Sequence, residues 1–592
     1  MDFDAILEDV GTFGRYQKLV IYFILLPAVI PCGFHAYAQL FMAADVKHWC
    51  RVPELEHLEN VELIKNLSIP LELKNGELEY SQCSMYNLNY SEILKSYPDI
   101  EIGDFAEITP CTDGWMYDKN IYKNTVVTEW DLVCNKDFFP TLGLVLLAVG
   151  GIIGNYIFGY LQDTFGRKPS FFIYLAIECV FGVATAFAQN YYIWVIYRFG
   201  VGFTVPAIMA TPYVLAIELV GPNSRTLCTI LSNIAYSMGL ILLSGVVYLV
   251  REWRHLALAS TLPFICFFIY LWPMPESPRW LLARGQFEKA EVILKNMARL
   301  YYNVRINKLE KSRKYGILDL FRTPNLRKKT IIITFIWFTN TSVYVGLSYY
   351  APVLGGDEFL NFFLAGVVEL PTYMFLWPSM ERLGRRWTLC MSMVVGGVAC
   401  LTTFLVQHVY IDSFLYIFFF LETNVTLALY CVGKMGISSA FVVLPLMASE
   451  LYPTVVRGLG MSLSSVLGML GPIFIPLVNY LGSDIMVLPL IIMGALLVAG
   501  GIASLLLPET LNQHLPQTLE DGERMGLDTE FCCNPPVQET KQSSDQEDHE
   551  KRQINCKDCN ALCSCQMVNV SLQEDVACIL IFIFKDALYC PF

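Results

Sequence analysis

Twelve long apolar stretches decide what this 592-residue chain can fold into. An α-helix needs about 20 mostly apolar residues to cross the hydrocarbon core of a bilayer. Because backbone N–H and C=O groups find no partners in lipid, each stretch is predicted to be a helix. Only 16% of the residues are charged, against roughly 25% in soluble domains. The fold class is therefore an all-α polytopic membrane protein, with helices at 19–44, 140–162, 170–189, 191–217, 227–250, 255–273, 330–352, 360–380, 387–407, 424–448, 459–481 and 485–507.

Lysine and arginine indicate which helix ends face the cytoplasm. Twelve helices place both termini on one side of the membrane. The stretch 281–329 carries 13 Lys/Arg against 4 Asp/Glu, and positive residues also follow the second and eighth helices. Because positive loops are retained in the cytoplasm, this face and both termini are predicted to be cytoplasmic. Arg251 and Arg254, on the opposite face, are an exception to the pattern.

The loop 45–139 then lies outside the cell. It contains two acceptor sequons for N-glycosylation, at Asn66 and Asn89. It also contains four cysteines, which fit a disulfide framework with three possible pairings. These cysteines are Cys50, Cys83, Cys111 and Cys134.

Charge and hydropathy divide the chain into four parts. A six-helix half, 1–280, includes the external loop; a cytoplasmic central loop covers 281–329; and a second six-helix half covers 330–511. The remainder, 512–592, is polar and then cysteine-rich, and we expect it to be cytoplasmic and disordered. Its cysteine spacing matches no familiar zinc site, so no metal is predicted.

Charged residues at the helix ends recur in both halves at similar spacing. Glu218 and Glu276 are 58 residues apart, and Glu450 and Glu509 are 59 apart. Asp163 and Glu218 are 55 residues apart in the first half, whereas Glu381 and Glu450 are 69 apart in the second. The excess has about the size of the short apolar segment 413–421, which we interpret as a helix extension or an interfacial insertion. Such internal repeats are typical of secondary transporters.

These repeated charges are predicted to gate a transporter at its cytoplasmic face. Carboxylates and guanidinium groups at helix ends pair with each other and with helix dipoles. Pairs across the face would lock the two halves together, and breaking them would let the halves rock. The alternative is topogenic charge on solvated loop ends. The candidate gating residues are Asp163, Arg167, Glu218, Arg225, Glu276, Arg279, Glu381, Arg385, Glu450, Arg457 and Glu509.

Several of these motifs resemble the major facilitator superfamily. They are Asp163-x2-Gly-Arg-Lys168, Pro275-Glu-Ser-Pro-Arg-Trp280 and Glu450-Leu-Tyr-Pro-Thr-Val-Val-Arg457. Within it, Cys111-Thr-Asp-Gly-Trp-Met-Tyr-Asp118 and Cys50-Arg-Val-Pro53 resemble solute carrier family 22, the organic cation, anion and zwitterion transporters. The organic cation and carnitine branches are the most similar.

The resemblance covers about residues 8–520 and implies a 6+6 helix fold in the plasma membrane. It also implies a central cavity that opens to one side at a time and takes small organic ions. Such a carrier needs no cofactor and no nucleic-acid partner, and it is not an enzyme. Its partners are the substrate and the lipid bilayer, while a co- or counter-transported ion stays open.

Two opposite charges inside the predicted helices are candidate substrate contacts. Charged residues inside a membrane are costly and usually functional. Glu369 lies in the predicted eighth helix and Lys434 in the tenth. Glu369 either neutralises a substrate ammonium or pairs with Lys434 to hold two helices together, and both roles can coexist. A cavity that offers both signs suits a zwitterion.

Aromatic residues supply a second candidate feature, because their faces attract organic cations. Trp337 and Tyr344 are seven residues apart, so they share a helix face. The resemblance places both on the cavity side, together with Tyr213. Tyr349 and Tyr350 are near a helix end, where we expect an aromatic belt at the lipid interface.

Met469 departs from the family pattern. The resemblance implies Asp at this position in cation carriers and Arg in anion and carnitine carriers, but this chain has neither. Met is polarisable and adaptable, so the site is expected to accept varied substrates.

Three further ionisable residues in the helices are predicted to be structural. Glu178 is in the third helix and Arg198 in the fourth, where Arg198 is expected to snorkel towards the interface. His35 is expected to be a packing histidine, with a proton relay as the alternative.

Together these features predict alternating-access transport of small organic cations or zwitterions, such as amines or carnitine-like compounds. The alternatives are an organic anion exchanger and, in a different class, a non-transporting sensor on a transporter scaffold.

Overall fold

The structure is a computed structural model that describes residues 7, 13–58, 60–74, 77–91, 107–297, 317–354, 356–411, 416–453, 455–482, 488–511, 513, 516 and 518–526. Eleven of its helices are long and apolar enough to cross a membrane, and a shorter apolar helix follows them. The described residues thus contain the twelve helices expected from the sequence. The cysteine-rich tail lies outside them.

The twelve membrane helices differ from the expected stretches mainly at their ends and in three interruptions. Helix 1 is built from the consecutive segments Arg15–Val20, Ile21–Leu25, Leu26–Val29 and Cys32–Met42. Helices 2 to 6 are Phe138–Phe165, Arg167–Ala186, Tyr191–Leu219, Pro222–Leu249 and Trp253–Ile265, the last continued by Cys266–Leu271. Helices 7 to 12 are Pro324–Tyr350 with Ala351–Val353, Glu358–Val367 with Glu369–Arg382, Arg385–Ile411, Tyr416–Leu451, Arg457–Gly468 with Gly471–Leu481, and Leu488–Ser504.

Prolines explain the interruptions in helices 8 and 11. Pro371 has no N–H to donate to the carbonyl one turn earlier, and helix 8 breaks at Val368 just before Glu369. Pro472 has the same effect on helix 11, where the freed Gly468 carbonyl accepts a hydrogen bond from the Thr341 hydroxyl at 2.6 Å. Interrupted membrane helices often mark the substrate sites of transporters.

The short apolar segment 413–421 belongs largely to helix 10. Tyr416 is the first residue of that helix, which is 36 residues long. Residues 412–415 lie outside the described part of the chain. Of the two interpretations from the sequence, the structure therefore supports the helix extension.

Small residues allow the closest helix contacts in each half. A Cβ atom added to Gly154 of helix 2 would lie 1.8 Å from the Phe203 carbonyl oxygen of helix 4. One added to Gly436 of helix 10 would lie 2.4 Å from the Ser392 carbonyl oxygen of helix 9. Backbone contacts of this kind replace the hydrophobic effect, which does not drive association of helices within lipid.

The long segment 43–137 between helices 1 and 2 has its own small fold. Three antiparallel two-strand ladders pair His48–Cys50 with Trp115–Tyr117, Leu71–Lys74 with Glu77–Tyr80, and Ser84–Tyr86 with Ile108–Pro110. Short helices cover Pro53–Leu55, Val61–Ser68, Val126–Glu129 and Cys134–Lys136. Of the three possible pairings, the structure has disulfides Cys50–Cys111 and Cys83–Cys134.

We call the end of the bundle that carries this segment the loop end, and the opposite end, which carries the charged motifs, the motif end. Short helices at the motif end cover Pro278–Ala283, Phe287–Met297, Ile317–Phe321 and Leu519–Arg524. The last of them is tied to the start of helix 7. The Glu523 carboxylate accepts hydrogen bonds from the backbone N–H groups of Asn325 and Leu326 at 2.8 and 2.9 Å.

Candidate functional site

A buried ion pair between helices 8 and 10 is the centre of the candidate site. Lys434 Nζ lies 3.2 Å from Glu369 Oε1, and the two side chains are 1% and 0% exposed. Removing two charges from water is expensive, so the pair persists only because each charge has further partners. The sequence suggested either a substrate contact or a link between these helices, and the geometry establishes the link.

Hydroxyl groups surround the Glu369 carboxylate. Ser438 of helix 10 donates a hydrogen bond at 2.9 Å, and Tyr373 of helix 8 donates one at 3.3 Å. Ser237 donates another from helix 5, across the boundary between the two halves. Since Glu369 is the first residue of the second segment of helix 8, the positive end of that segment's dipole also favours its negative charge.

The ammonium group of Lys434 is held by a hydroxyl and an aromatic ring. It donates a hydrogen bond to Ser348 Oγ at 2.6 Å and lies 3.7 Å from the centre of the Tyr344 ring. Tyr344 in turn contacts Phe441, with ring centres 4.7 Å apart. The site therefore already holds an ammonium against an aromatic face, which is the arrangement predicted for an organic cation.

Helix 7 also carries two buried polar groups that make no hydrogen bond among the described residues. Trp337 contacts Phe441 from one side, with ring centres 6.5 Å apart, as expected if it shares a face with Tyr344. Within the described residues, the Trp337 indole N–H and the Asn340 side-chain amide are buried and make no hydrogen bond. Such atoms are costly to bury, so they are candidate contacts for a bound molecule. Sequence analysis missed Asn340.

Tyr213 is not at the same level as the ion pair, whereas Met469 is. Tyr213 is six residues from the motif end of helix 4, or about 9 Å along the axis, and its hydroxyl is 3.4 Å from Thr229 Oγ1. Glu369 is thirteen residues, or about 20 Å, from the motif end of helix 8. Met469 is half-buried at the interruption of helix 11, twelve residues, or about 18 Å, from the motif end of that helix.

Contacts between the two halves cluster at the loop end. Tyr122, in the long segment, donates a hydrogen bond to Glu358 at the start of helix 8 at 2.7 Å. Phe359 stacks on Phe41 of helix 1, with ring centres 6.1 Å apart. Arg251 covers the same Phe359 ring at 5.0 Å. The structure is thus closed at this end.

At the motif end of the first half, an ionic network joins helices 2, 3 and 4 to the segment that follows helix 6. The Arg167 guanidinium donates to both oxygens of Glu218, at 3.1 and 3.0 Å, and to Asp163 at 3.2 Å. The Glu276 carboxylate accepts hydrogen bonds from the backbone N–H groups of Arg167 and Lys168. Burial raises the pKa of Glu276, and these hydrogen bonds oppose the shift.

The second half repeats this network around Arg385. Its guanidinium Nε lies 3.4 Å from Glu450, and its backbone N–H donates to Glu509 at 2.8 Å. In both halves the carboxylate packs against a glycine with positive φ: 105° at Gly166 and 85° at Gly384. A Cβ at either glycine would lie 2.5 Å from the facing carboxylate oxygen, so the repeated Gly-Arg has a steric reason.

These networks differ from the predicted lock between the halves. The Arg167–Glu218 and Arg385–Glu450 pairs each join helices of the same half. Glu381 accepts a hydrogen bond from Trp377 of its own helix at 2.5 Å. Three candidates remain. Arg225 is half-buried near the start of helix 5, and Arg279 is exposed beside the Arg167 network. Arg457 donates a hydrogen bond to the Tyr452 carbonyl at 3.3 Å.

Two other expectations from the sequence are wrong. Arg198 does not snorkel: it is 1% exposed and donates to Gln39 Oε1 at 2.7 Å and to the His35 carbonyl at 3.0 Å. Tyr349 and Tyr350 do not form a lipid-facing belt, because only 8% and 7% of each is exposed. Tyr349 instead packs edge-on against Tyr37 of helix 1.

Comparisons with known proteins agree with this architecture. A family model described as sugar (and other) transporter matches residues 116–521. The β-alanine transporter of Drosophila melanogaster is 56% identical over 90% of this chain and 91% of its own length. The carcinine transporter of the same species is 43% identical over 90% and 81%. Mouse solute carrier family 22 member 21 is 35% identical over 89% and 94%.

Among solved structures, the major facilitator proton:xylose symporter XylE, bound to 6-bromo-6-deoxy-D-glucose, has the same fold. Its TM-score is 0.54 at 17% identity, and the match covers 85% of this chain and 99% of that one. At this identity the likeness concerns the fold alone.

Proposed function

We propose a substrate and a transport cycle for this chain. The premise is that the chain is a membrane transporter and belongs to solute carrier family 22 of the major facilitator superfamily. Its substrate is a small zwitterion with an ammonium and a carboxylate a few bonds apart, and β-alanine is the first candidate. The relative named for β-alanine favours this class over the organic anion exchanger and the sensor. Carcinine is an amine without a carboxylate, so the relative named for it favours an organic cation.

The Glu369–Lys434 pair is the observation that carries the proposal. The two opposite charges are 3.2 Å apart and fully buried. A zwitterion inserts between them: its ammonium takes the place of Lys434 beside Glu369, and its carboxylate becomes the partner of Lys434. Every buried charge keeps a partner of opposite sign throughout, which avoids the cost of an unpaired buried charge.

An organic cation is the second candidate, favoured by the aromatic face of Tyr344. That ring already lies 3.7 Å from the Lys434 ammonium. A substrate ammonium placed there gains the same attraction and uses Glu369 as its counter-charge. A cation without a carboxylate, however, gives Lys434 no new partner.

The cycle is alternating access in the plasma membrane, with the loop end outside and both termini in the cytoplasm. The charge bias of the loops supports this orientation, as does the exposure of Asn66 and Asn89 in the long segment. The clustered contacts at the loop end support a state closed to the outside. The two motif-end networks keep the helices of each half together while the halves rock. The boundaries 1–280, 281–329, 330–511 and 512–592 remain the proposed division of the chain.

Uptake into cells expressing the full chain tests the substrate. We compare three labelled compounds: β-alanine, a tetraalkylammonium and an aromatic carboxylate. Uptake of each compound is measured for wild type, for Glu369→Gln and for the matched control Glu291→Gln. Glu291 is a surface glutamate paired with Lys295 on a short helix. We expect β-alanine uptake that Glu369→Gln abolishes and Glu291→Gln preserves. Uptake of the carboxylate alone would refute the proposal.

A further inference from the structure

A second buried ionic cluster lies on helices 1, 3 and 4, and the substrate site does not use its charges. His35, Glu178 and Arg198 are 1%, 0% and 1% exposed. His35 Nδ1 lies 3.0 Å from Glu178 Oε1, and the Thr204 hydroxyl donates to the other carboxylate oxygen. Arg198 donates instead to Gln39 and to the His35 carbonyl.

This arrangement has room for one more proton. His35 Nδ1 and Glu178 Oε1 are 3.0 Å apart but are not aligned as a hydrogen bond. We place the proton of the neutral imidazole on Nδ1, the nitrogen nearer the carboxylate. The other ring nitrogen, Nε2, is buried and has no hydrogen-bond partner among the described residues. With Glu178 ionised and Arg198 charged the cluster is neutral, and a proton on Nε2 makes its net charge +1. A net charge inside a membrane is costly, so its presence favours one arrangement of the surrounding helices over another.

Among the described residues, the neighbouring helices bring no further full charge to His35. Helix 6 presents the Phe264 ring, with ring centres 4.9 Å apart. Helices 5 and 7 contribute tyrosines, and helix 1 itself contributes a thiol and a phenol. The titratable and charged groups around His35 are Glu178 on helix 3, Arg198 on helix 4, Tyr236 on helix 5, Tyr349 on helix 7, and Cys32 and Tyr37 on helix 1.

Helix 1 connects this cluster to the substrate site. Two residues after His35, the Tyr37 hydroxyl lies close to the hydroxyls of Ser348 and Tyr236. Ser348 Oγ is also the acceptor for Lys434, at 2.6 Å. Arg198 and Tyr349 are near enough to interact electrostatically, and Tyr349 packs edge-on against Tyr37, with ring centres 5.9 Å apart. A movement of helix 1 therefore reaches both ionic groups at once.

We infer that the His35–Glu178–Arg198 cluster is a proton-binding site that couples proton movement to substrate movement, in the same direction. A proton from water outside binds the Nε2 lone pair, forming an N–H bond, and is released to water inside after the halves rock. The zwitterion carries no net charge, so the proton is the only charge that crosses. This step relies on the proposed function for its substrate.

The test uses the full chain reconstituted in liposomes, with the membrane potential clamped. Exchange of labelled for unlabelled β-alanine at equal pH first establishes that the carrier works. The outside is then made more acid by about two pH units, which permits about 100-fold accumulation at one proton per substrate. The matched control is His57→Gln, because His57 is an exposed histidine of the long segment. We expect wild type and this control to accumulate β-alanine. His35→Gln is expected to retain exchange and lose accumulation.

The outcomes separate the two proposals. Absence of exchange in wild type refutes β-alanine as the substrate, and the gradient test is then run with the tetraalkylammonium. Exchange without accumulation in wild type overturns the coupling, as does undiminished accumulation by His35→Gln. Glu178→Gln answers the same question if His35→Gln does not insert. Loss of exchange in both variants assigns the cluster a purely structural role and also overturns the inference.

Discussion

Removing the charges of the Glu369–Lys434 pair one at a time and then together separates its two roles. Glu369→Gln keeps an oxygen that can accept the hydrogen bond from the Ser438 hydroxyl, which is 2.9 Å long in wild type. The variant nevertheless leaves the Lys434 ammonium without a counter-charge. Lys434→Met leaves the carboxylate unpaired in the same way. Breaking a buried pair on one side costs about 3–5 kcal/mol, or about a 200- to 4,000-fold change in the folded-to-unfolded ratio.

The double variant Glu369→Gln/Lys434→Met removes both charges. Replacing a whole buried pair with uncharged residues is often neutral or stabilising. We therefore expect the double variant to recover most of the thermal stability lost by each single variant. It should nevertheless fail to transport β-alanine, because neither end of the zwitterion finds a partner.

Thermal melting of the purified protein and uptake by the same preparation are the two measurements. Glu291→Gln is the control for the chemical change and should match wild type in both. Recovery of uptake together with stability in the double variant would refute the substrate role and leave the pair as a link between helices 8 and 10. Full stability in either single variant would refute the argument from burial.

The remaining predictions concern the motif-end network and the orientation of the chain. Glu218→Gln should lower the maximal uptake rate about 10-fold or more with little change in KM. The reason is that Glu218 accepts two charge-assisted hydrogen bonds from Arg167, which are worth about 1.5–3 kcal/mol each. Asp163→Asn should lower it only about 2-fold, since Asp163 is 78% exposed; equal effects of the two variants would contradict the network. Glycosidase should shift the electrophoretic mobility of wild type but not of Asn66→Gln/Asn89→Gln, and a shift that persists would place the glycan elsewhere, with Asn424 as the next sequon to examine.

The sequence predicted the fold and the charges of the site, but not how the site is assembled. An intramembrane charge needs a partner, so Glu369 and Lys434 were a foreseeable pair. Ser237 and Tyr37 were not foreseeable, because hydroxyl groups in apolar helices have no distinctive spacing until neighbouring helices are known. Their contributions come from helices 5 and 1, far from helices 8 and 10 in sequence.

The wrong expectations have a common physical cause. Hydropathy gives the depth of a residue in the membrane but not whether its side chain faces lipid or protein. Tyr349 and Tyr350 are near a helix end, as an aromatic belt requires, yet both face other helices. Likewise, the repeated spacing identified Arg167 and Arg385 as network residues, but only the structure reveals that the Glu218 and Glu450 pairs stay within one half.

The division of the proposed substrate site between the halves bears on how the carrier opens. Both full charges, Glu369 and Lys434, belong to the second half, and the first half contributes the hydroxyl groups of Ser237 and Tyr37. Separating the halves here breaks hydrogen bonds to hydroxyls, at about 1.5–3 kcal/mol for one that reaches a charged group. Splitting an ion pair between the halves would cost about 3–5 kcal/mol instead. With the substrate's charges paired inside one half, the other half is free to move away, and the rocking step avoids exposing an unpaired charge to lipid.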